Sequence, residues 1–209
     1  MAITINGSTG ISGVDGSVGT PAIIGSDADT GLVFAAGQVT ASLNGTAANV
    51  ALVSGTAQNS TSGTSIDFTG IPSWVKRVTV IFNGVSTNGT SSLLIQIGTS
   101  SGFTTSGYAS NSCSLGQSGT TGYTASTAGF SSTTSQQGAT NSAYAGNSQI
   151  ALLGSNTWIA SSVISSGPNG GANYSAGTVA LSGTLDRVRI TTVNGTDTFD
   201  AGSINIMYE

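Results

Sequence analysis

The chain has 209 residues and a formal net charge of −4, with no histidine, one cysteine and only 6% charged residues, against about 25% in an ordinary globular domain. Four scattered basic residues cannot neutralise a run of phosphates, which excludes nucleic-acid binding. No apolar run approaches the roughly 18 residues of a spanning helix, and the start, MAITINGS, lacks a signal-peptide pattern, so we expect no membrane insertion and folding in the cytoplasm.

The first 55 residues are punctuated by glycine and contain few long apolar runs. Such a stretch buries little apolar area, so we do not expect residues 1–55 to form a core alone. Their one hint of helix is TAANVALV, residues 46–53, which is long enough for a turn or two. Asp27 and Asp29, in GSDADTG, resemble the start of a calcium loop. The later oxygen ligands and the terminal Glu are missing, and we expect no metal there.

Residues 56–209 form the second part, which contains both tryptophans, all four basic residues and most of the apolar runs. These runs have the length of strands and are rich in β-branched residues: TSIDF, WVKRVTVIF, SLLIQIG, QIALLG, TWIASSVI, GTVALSG, DRVRITTV and SINIMY. Asn-Gly dipeptides, the strongest short signal for a β-hairpin, lie between several of them. The pattern predicts an all-β domain, an antiparallel β-sandwich of the jelly-roll-like kind, over 56–209.

Two strings in this domain share one design. RVTVIFNGVSTNGTSSLLIQIG begins at Arg77 and RVRITTVNGTDTFDAGSINIMY begins at Arg187, and both run strand, Asn-Gly turn, polar insertion, strand. Because side chains alternate between the faces of a strand, Arg187 and Arg189 should stand on the face opposite to the core. We expect two hairpins, suited to two sheets packed face to face. The residues expected to face the core are Val78, Val80, Phe82, Val188 and Ile190.

Residues 100–148 are nearly free of aliphatic side chains and rich in Ser, Thr, Gly and Gln, which predicts long loops. Four rings are set in them at wide intervals: Tyr108, Tyr123, Phe130 and Tyr144. Neutral hydroxyls and amides hydrogen-bond sugars, and aromatic rings lie against the apolar faces of sugars, so these four are candidate ligand contacts for a glycan. The alternative is that the rings anchor the loops onto the sandwich or fill a seam between subunits.

The chain offers little for catalysis. Without histidine there is no Ser-His-Asp or Cys-His device and no imidazole metal ligand. Asp197 and Asp200, in NGTDTFDAG, are the nearest carboxylate pair for glycoside hydrolysis, yet a Gly-flanked loop favours a turn-forming role. Cys113 has no partner for an intrachain disulfide and no base to activate it. We therefore expect no enzyme, no catalytic residues, no cofactor and no metal.

The start of the chain, MAITINGSTGISGVDGSVGTPAIIGSDADTGLVF, resembles the N-terminal segment of fibre proteins of tailed bacteriophages, especially those of cyanophages. The stretch SIDFTGIPSWVKRVTVIFNGVSTNGTSSLLIQIGTSSGFTTSGY and the closing TFDAGSINIMYE are similar to the terminal β-domains of such fibres. The resemblance implies a homotrimer, localisation in the virion after assembly in the host cytoplasm, and a distal domain that contacts the host. It also implies that residues 1–55 are a short extended attachment and trimerisation segment, docked on other virion proteins of the tail, baseplate or capsid.

Three functions follow from this resemblance. The first is a tail fibre whose sandwich binds a host-surface glycan during adsorption, through loops between residues 100 and 148 and near 167–175. The second is a head fibre or capsid decoration protein with a purely structural role. The third is a depolymerase tailspike, which the missing acidic cluster and missing repeat coils argue against. In each case Arg187 and Arg189 are candidate contacts with solvent, with a neighbouring subunit's Asp186 or with another virion protein.

Overall fold

The computed structural model describes residues 52–116, 119, 121–134, 143–167 and 171–209, together with four short strands before residue 52. The chain divides into two compact units, residues 1–52 and residues 53–208. Every described element is a β-strand, and every strand pair is antiparallel. The predicted all-β class is confirmed.

The first unit contains an antiparallel sheet of four strands in chain order: β1 (Ile23–Ile24), β2 (Gly31–Ala35), β3 (Gln38–Leu43) and β4 (Thr46–Asn49). Leu43 of β3 lies opposite Thr46 of β4, and the Asn-Gly dipeptide between them, Asn44 and Gly45, lies outside the described residues. The helix expected over 46–53 is wrong, because β4 takes its hydrogen bonds from β3 instead of from its own turn. Asp27 and Asp29 lie outside the described residues.

The described part of the second unit contains fourteen strands. The early ones are β5 (Val53–Ser54), β6 (Gln58–Asn59), β7 (Ile66–Thr69), β8 (Arg77–Thr87), β9 (Leu93–Thr99) and β10 (Gly102–Phe103). The middle ones are β11 (Ala109–Leu115), β12 (Thr121–Ser126), β13 (Phe130–Ser131) and β14 (Tyr144–Gly154). The last are β15 (Thr157–Ser166), β16 (Ala172–Ala180), β17 (Arg187–Thr192) and β18 (Phe199–Tyr208).

These strands form two sheets that share one hydrophobic core, an arrangement consistent with the predicted β-sandwich. The nine-stranded sheet has the order β12-β11-β16-β15-β14-β8-β18, with β5 and β6 both pairing with the far side of β18. The five-stranded sheet has the order β10-β9-β17-β7, and β13 also pairs with β9. The jelly-roll-like connectivity, the trimer and the attachment role of residues 1–55 stay predictions.

Alternation along β8 and β17 builds the centre of the core. Val78, Val80 and Phe82 point inward from the nine-stranded sheet, and Val188 and Ile190 point inward from the five-stranded sheet. Each is buried, and burying a side chain of this size contributes about 1.5–3 kcal/mol. The predicted facing of both strings is confirmed, including the outward position of Arg187 and Arg189.

The two strings are not hairpins, and that expectation is wrong. β8 lies in the nine-stranded sheet and its successor β9 in the five-stranded sheet, while β17 and β18 cross in the opposite direction. β8 then pairs with β18, and β9 pairs with β17. Each of the two strings therefore forms a strand in one sheet, a connecting loop and a strand in the other sheet, and the strands of one string pair with those of the other. The carboxylate of Asp197 joins their loops, accepting hydrogen bonds from the N–H of Ser91 at 2.9 Å and from Nδ2 of Asn194 at 2.6 Å.

A glycine pair explains why Asn83-Gly84 does not reverse the chain, whereas Asn194-Gly195 lies in a turn between β17 and β18. Gly84 lies inside β8 with φ +65°, and Gly202 lies inside β18 with φ +91°. The register between these strands shifts on both sides of Ala201, which is typical of β-bulges. A Cβ on Gly202 would lie 2.4 Å from the carbonyl oxygen of Gly84, so the bulge requires glycine for space as well as for its positive φ.

Where residues 100–148 are described, more of them lie in strands than in loops, so the interpretation as long loops is wrong there; residues 117–118, 120 and 135–142 lie outside the described part. β11 alternates exposed and buried residues along its whole length, but its buried side chains are serines: Ser110, Ser112 and Ser114. Their hydroxyls are hydrogen-bonded, for example from Ser112 Oγ to the carbonyl of Thr133 at 2.8 Å. Alternation of small polar side chains carries no apolar period, so the strand pattern is invisible to a search for hydrophobic alternation.

Candidate functional site

Arg187 and Arg189 lie on the outer face of the five-stranded sheet and are paired within the chain. Arg189 makes a two-pronged contact with Asp67 of the neighbouring strand, with Nε–Oδ1 at 2.8 Å and Nη2–Oδ2 at 2.7 Å. Arg187 donates from Nε to Asp186 Oδ1 at 2.9 Å and from Nη2 to the carbonyl of Ser100 at 3.0 Å. The hydrogen bond to Asp67 raises the pKa of the Arg189 guanidinium, against the opposing effect of its partial burial.

Phe103 completes this charged cluster. Its ring centroid lies 4.1 Å from the guanidinium carbon of Arg189 and 5.6 Å from that of Arg187, within the range of a cation–π contact. Phe103 lies opposite Gly98, where a Cβ would lie 2.7 Å from the Phe103 Cα. The cluster therefore neutralises both arginines with groups of the same chain, a stabilising role that needs no neighbouring subunit.

Three of the four candidate rings belong to the core, so the structure corrects their interpretation as glycan contacts. Tyr108, Phe130 and Tyr144 are buried, and the rings of Tyr108 and Phe130 meet edge to face at 5.0 Å between centroids. The Tyr108 hydroxyl accepts a hydrogen bond from the N–H of Ile97 at 2.9 Å and donates to the carbonyl of Thr104 at 3.1 Å. Burial raises the pKa of Tyr108 to about 12, and the hydrogen bond from Ile97 opposes that rise.

The fourth ring, Tyr123, is 69% exposed on the outer face of the nine-stranded sheet. Strand register places it in a line of directly opposed residues. Tyr123 of β12 faces Cys113 of β11, which faces Tyr174 of β16, which faces Val163 of β15. Cys113 is exposed, and the exposed fractions of Tyr174 and Val163 are 47% and 54%. We call these four residues the tyrosine row; Tyr174 and Val163 are members that sequence reasoning missed.

The surface around the tyrosine row is uncharged. Five neighbouring strands, β12, β11, β16, β15 and β14, contain no acidic or basic residue. The next line across the same face is made of exposed small or amide side chains: Ala125, Asn111, Ala176, Ser161 and Gln149. This face therefore offers rings, hydroxyls and amides to a ligand, with no fixed charge.

Buried polar side chains support the sheet directly beneath the tyrosine row. Asn173, the neighbour of Tyr174, is fully buried and uses its whole amide. Its Oδ1 accepts the N–H of Thr134 at 3.2 Å, and its Nδ2 donates to the carbonyl of Ile164 at 3.2 Å and to Ser166 Oγ at 2.6 Å. Satisfied buried networks of this kind make a structure rigid, so the tyrosine row lies on a fixed support.

Two of the open cavities in the described part of the sandwich lie away from the tyrosine row. The larger, about 300 Å³, opens between β7 and the β5–β6 side of β18, and the smaller, about 250 Å³, lies on the outer face of the five-stranded sheet beside Arg189. The charged groups that line them, Asp67 and Arg189, are already paired with each other. Neither cavity presents an unpaired charge to a ligand.

The remaining candidate residues have local roles in the described part of the chain. Asp197 joins the two crossing loops, and Asp200 accepts a hydrogen bond from the hydroxyl of Ser86. Asp197 therefore stabilises the turn in which it lies, and Asp200 links β18 to β8. Among the described residues no cluster of three or more His, Cys, Asp or Glu could hold a metal ion, and no helix there is long and apolar enough to cross a membrane.

Comparison with known proteins adds no relative. No protein-family model, curated protein or solved structure matches this chain.

Proposed function

We propose that the chain is a structural virion fibre protein of a tailed phage, in which the sandwich of residues 53–208 is the distal domain and contacts the host surface during adsorption. One observation carries the contact role: an exposed, uncharged face, five strands wide, that presents the tyrosine row. Large apolar side chains grouped together on one exposed face, here Tyr123, Tyr174 and Val163, are typical of a contact site, unlike ones scattered singly. The resemblance of both chain ends to phage fibre segments supports the virion setting.

The two outer faces of the sandwich have different chemistry, which also supports this assignment. The five-stranded sheet carries the Arg187 and Arg189 cluster, whose charges are satisfied within the chain. The nine-stranded sheet carries no charged residue along five strands. Contact with a neutral partner therefore removes no charged group from water, a step that costs free energy. The uncharged face is therefore the one whose exposed side chains remain available to a partner. We assign host contact to it and a stabilising role to the charged face.

Three copies assemble in this proposal, with residues 1–55 as the attachment and trimerisation segment. Sedimentation equilibrium of the full chain at several concentrations measures the copy number. We expect a trimer that persists on dilution. A molar mass equal to that of a single chain at every concentration would contradict the trimer.

The virion role is tested by locating the protein on particles. An antibody raised against the purified chain, carrying gold, is bound to intact phage and viewed by negative-stain electron microscopy. We expect label at the ends of tail fibres. Label on the head would instead establish the head-fibre or decoration role, and particles with no label at all would contradict a virion protein.

A further inference from the structure

We infer that the tyrosine row is a stacking platform for a neutral, extended polysaccharide of 1,4-linked hexoses with equatorial bonds, lying across the strands. This inference rests on the proposed role of the nine-stranded sheet in host contact and names the chemical class of its ligand. Tyr123 and Tyr174 are the two stacking rings, and Val163 extends the same line. The tyrosines bracket Cys113, which is small enough to leave the space between them open.

Ring spacing selects the shape of the ligand. Tyr123 and Tyr174 are separated by two strand spacings, so their Cα atoms lie about 10 Å apart. In an extended chain of 1,4-linked sugars with equatorial bonds, successive rings are turned over, and every second sugar presents the same face. Two tyrosines separated by one intervening position fit alternate sugars of such a chain. A compact or coiled glycan does not place two equivalent faces along one straight line.

The chemistry of the face selects a neutral ligand. Carboxylates, sulfates and phosphates on a polysaccharide need arginine, lysine or a metal as partners, and the five strands supply no basic residue. The chain as a whole has a net charge of −4, which repels an anionic polymer. Asn111, Ser161 and Gln149 lie beside the row and provide neutral donors and acceptors for sugar hydroxyls.

Rigidity beneath the face favours binding. Asn173, Ser112 and Ser114 point inward from the strands that carry the tyrosine row, and their polar atoms are hydrogen-bonded to the segment ending at Thr134. The backbone under the two tyrosines is therefore ordered before a ligand arrives. Preorganised contacts lose less conformational entropy on binding, so weak stacking contacts still give measurable affinity.

Affinity electrophoresis of the full chain tests the inference, with hydroxyethylcellulose, glucomannan, dextran and alginate as the probes. We expect retardation in the 1,4-linked neutral gels, hydroxyethylcellulose or glucomannan, and none in α-linked dextran or anionic alginate. Tyr123→Ala and Tyr174→Ala each weaken retention about 3- to 10-fold, the loss of one stacked ring. Leu153→Ala is the matched control, since it truncates a similarly exposed apolar side chain on the same sheet away from the row, and it leaves retention unchanged.

A ring-moving variant tests the spacing itself. Tyr174→Ala combined with Cys113→Tyr keeps two rings but places them on adjacent strands, where consecutive sugars present opposite faces. We expect retention no better than that of Tyr174→Ala alone. Full retention in this double variant would contradict the proposed spacing.

Three other results would overturn the proposed binding of a neutral 1,4-linked polysaccharide. They are no retardation in either neutral 1,4-linked gel, equal retardation in alginate, or a change of copy number in the tyrosine variants. The last result would make the tyrosine row an interface between chains. None of these results alters the position of gold label on particles, so a failed inference and a failed virion assignment are distinguishable.

Discussion

Replacing Tyr108 by phenylalanine removes one buried hydroxyl and leaves the edge-to-face ring contact with Phe130 in place. At pH 8 the N–H of Ile97 then loses its acceptor, and a buried donor without a partner costs about 1–3 kcal/mol. We therefore expect Tyr108→Phe to unfold at lower urea than the wild type. Tyr123→Phe is the matched control, because it removes the hydroxyl of an exposed tyrosine, and we expect its stability to match the wild type.

The same hydroxyl gives the wild type a pH dependence that the variant lacks. Burial raises the pKa of Tyr108 from 10.0 to about 12 in the folded chain. Because the folded pKa lies above the unfolded pKa, the stabilisation is fully present below pH 10 and is lost as the pH rises through about 12. Two pKa units correspond to about 3 kcal/mol of unfolding free energy. The advantage of the wild type over Tyr108→Phe should therefore shrink by about this amount between pH 10 and 12.

Urea unfolding at pH 8, 10, 11 and 12, followed by the fluorescence of Trp74 and Trp158, measures this difference. Comparing wild type with Tyr108→Phe at each pH cancels every other titrating group that the two share. A difference in free energy that stays constant across the range would refute the assignment of the alkaline loss to Tyr108. Spectrophotometric titration of phenolate absorbance gives the same pKa independently.

Three further changes test other parts of the structure. Gly202→Ala places a Cβ against backbone in a residue with positive φ, so we expect a loss above about 2 kcal/mol by urea unfolding, and an unchanged midpoint would contradict the bulge. Ser112→Val should cost about 1–3 kcal/mol, since the carbonyl of Thr133 loses a buried donor; a variant as stable as the wild type would show that the polar layer is not needed. Arg187→Ser with Arg189→Ser should leave the copy number by sedimentation unchanged, because both guanidiniums are satisfied within the chain, whereas dissociation would establish a subunit contact.

Alternation of apolar residues allowed part of the fold to be predicted. The facing of Val78 and Val188, and with it the outward position of the two arginines, follows from period-two alternation, which is a local property of each strand. Sheet membership is not local. The Asn-Gly at residue 83 signals a hairpin, but Gly84 forms a bulge because β18 lies beside β8 with Gly202 in a matching kink. The strands that flank the Asn-Gly at residue 44, β3 and β4, do pair with each other as antiparallel neighbours.

The candidate site was harder to predict, because register decides it. Tyr123 was identified from its residue type, but its relation to Tyr174 depends on β11 lying between β12 and β16 with Cys113 opposite both. The separations of these residues along the sequence do not show that they lie opposite one another across the sheet. β11 buries only serines, and β16 buries Asn173 beside Tyr174, so the alternation of these two segments gives no hydrophobic signal. For the same reason Tyr108, Phe130 and Tyr144 could not be separated from Tyr123 without the structure.

In the proposed function, the uncharged face of the nine-stranded sheet contacts the host. The most direct test is the rate at which phage particles adsorb to host cells in the presence of saturating purified chain. We compare wild type with the double variant Tyr123→Ala and Tyr174→Ala, whose exposed positions leave the core intact. We expect that the wild-type chain slows adsorption and that the double variant does not. Undiminished adsorption with the wild-type chain, or equal slowing by the variant, would contradict it.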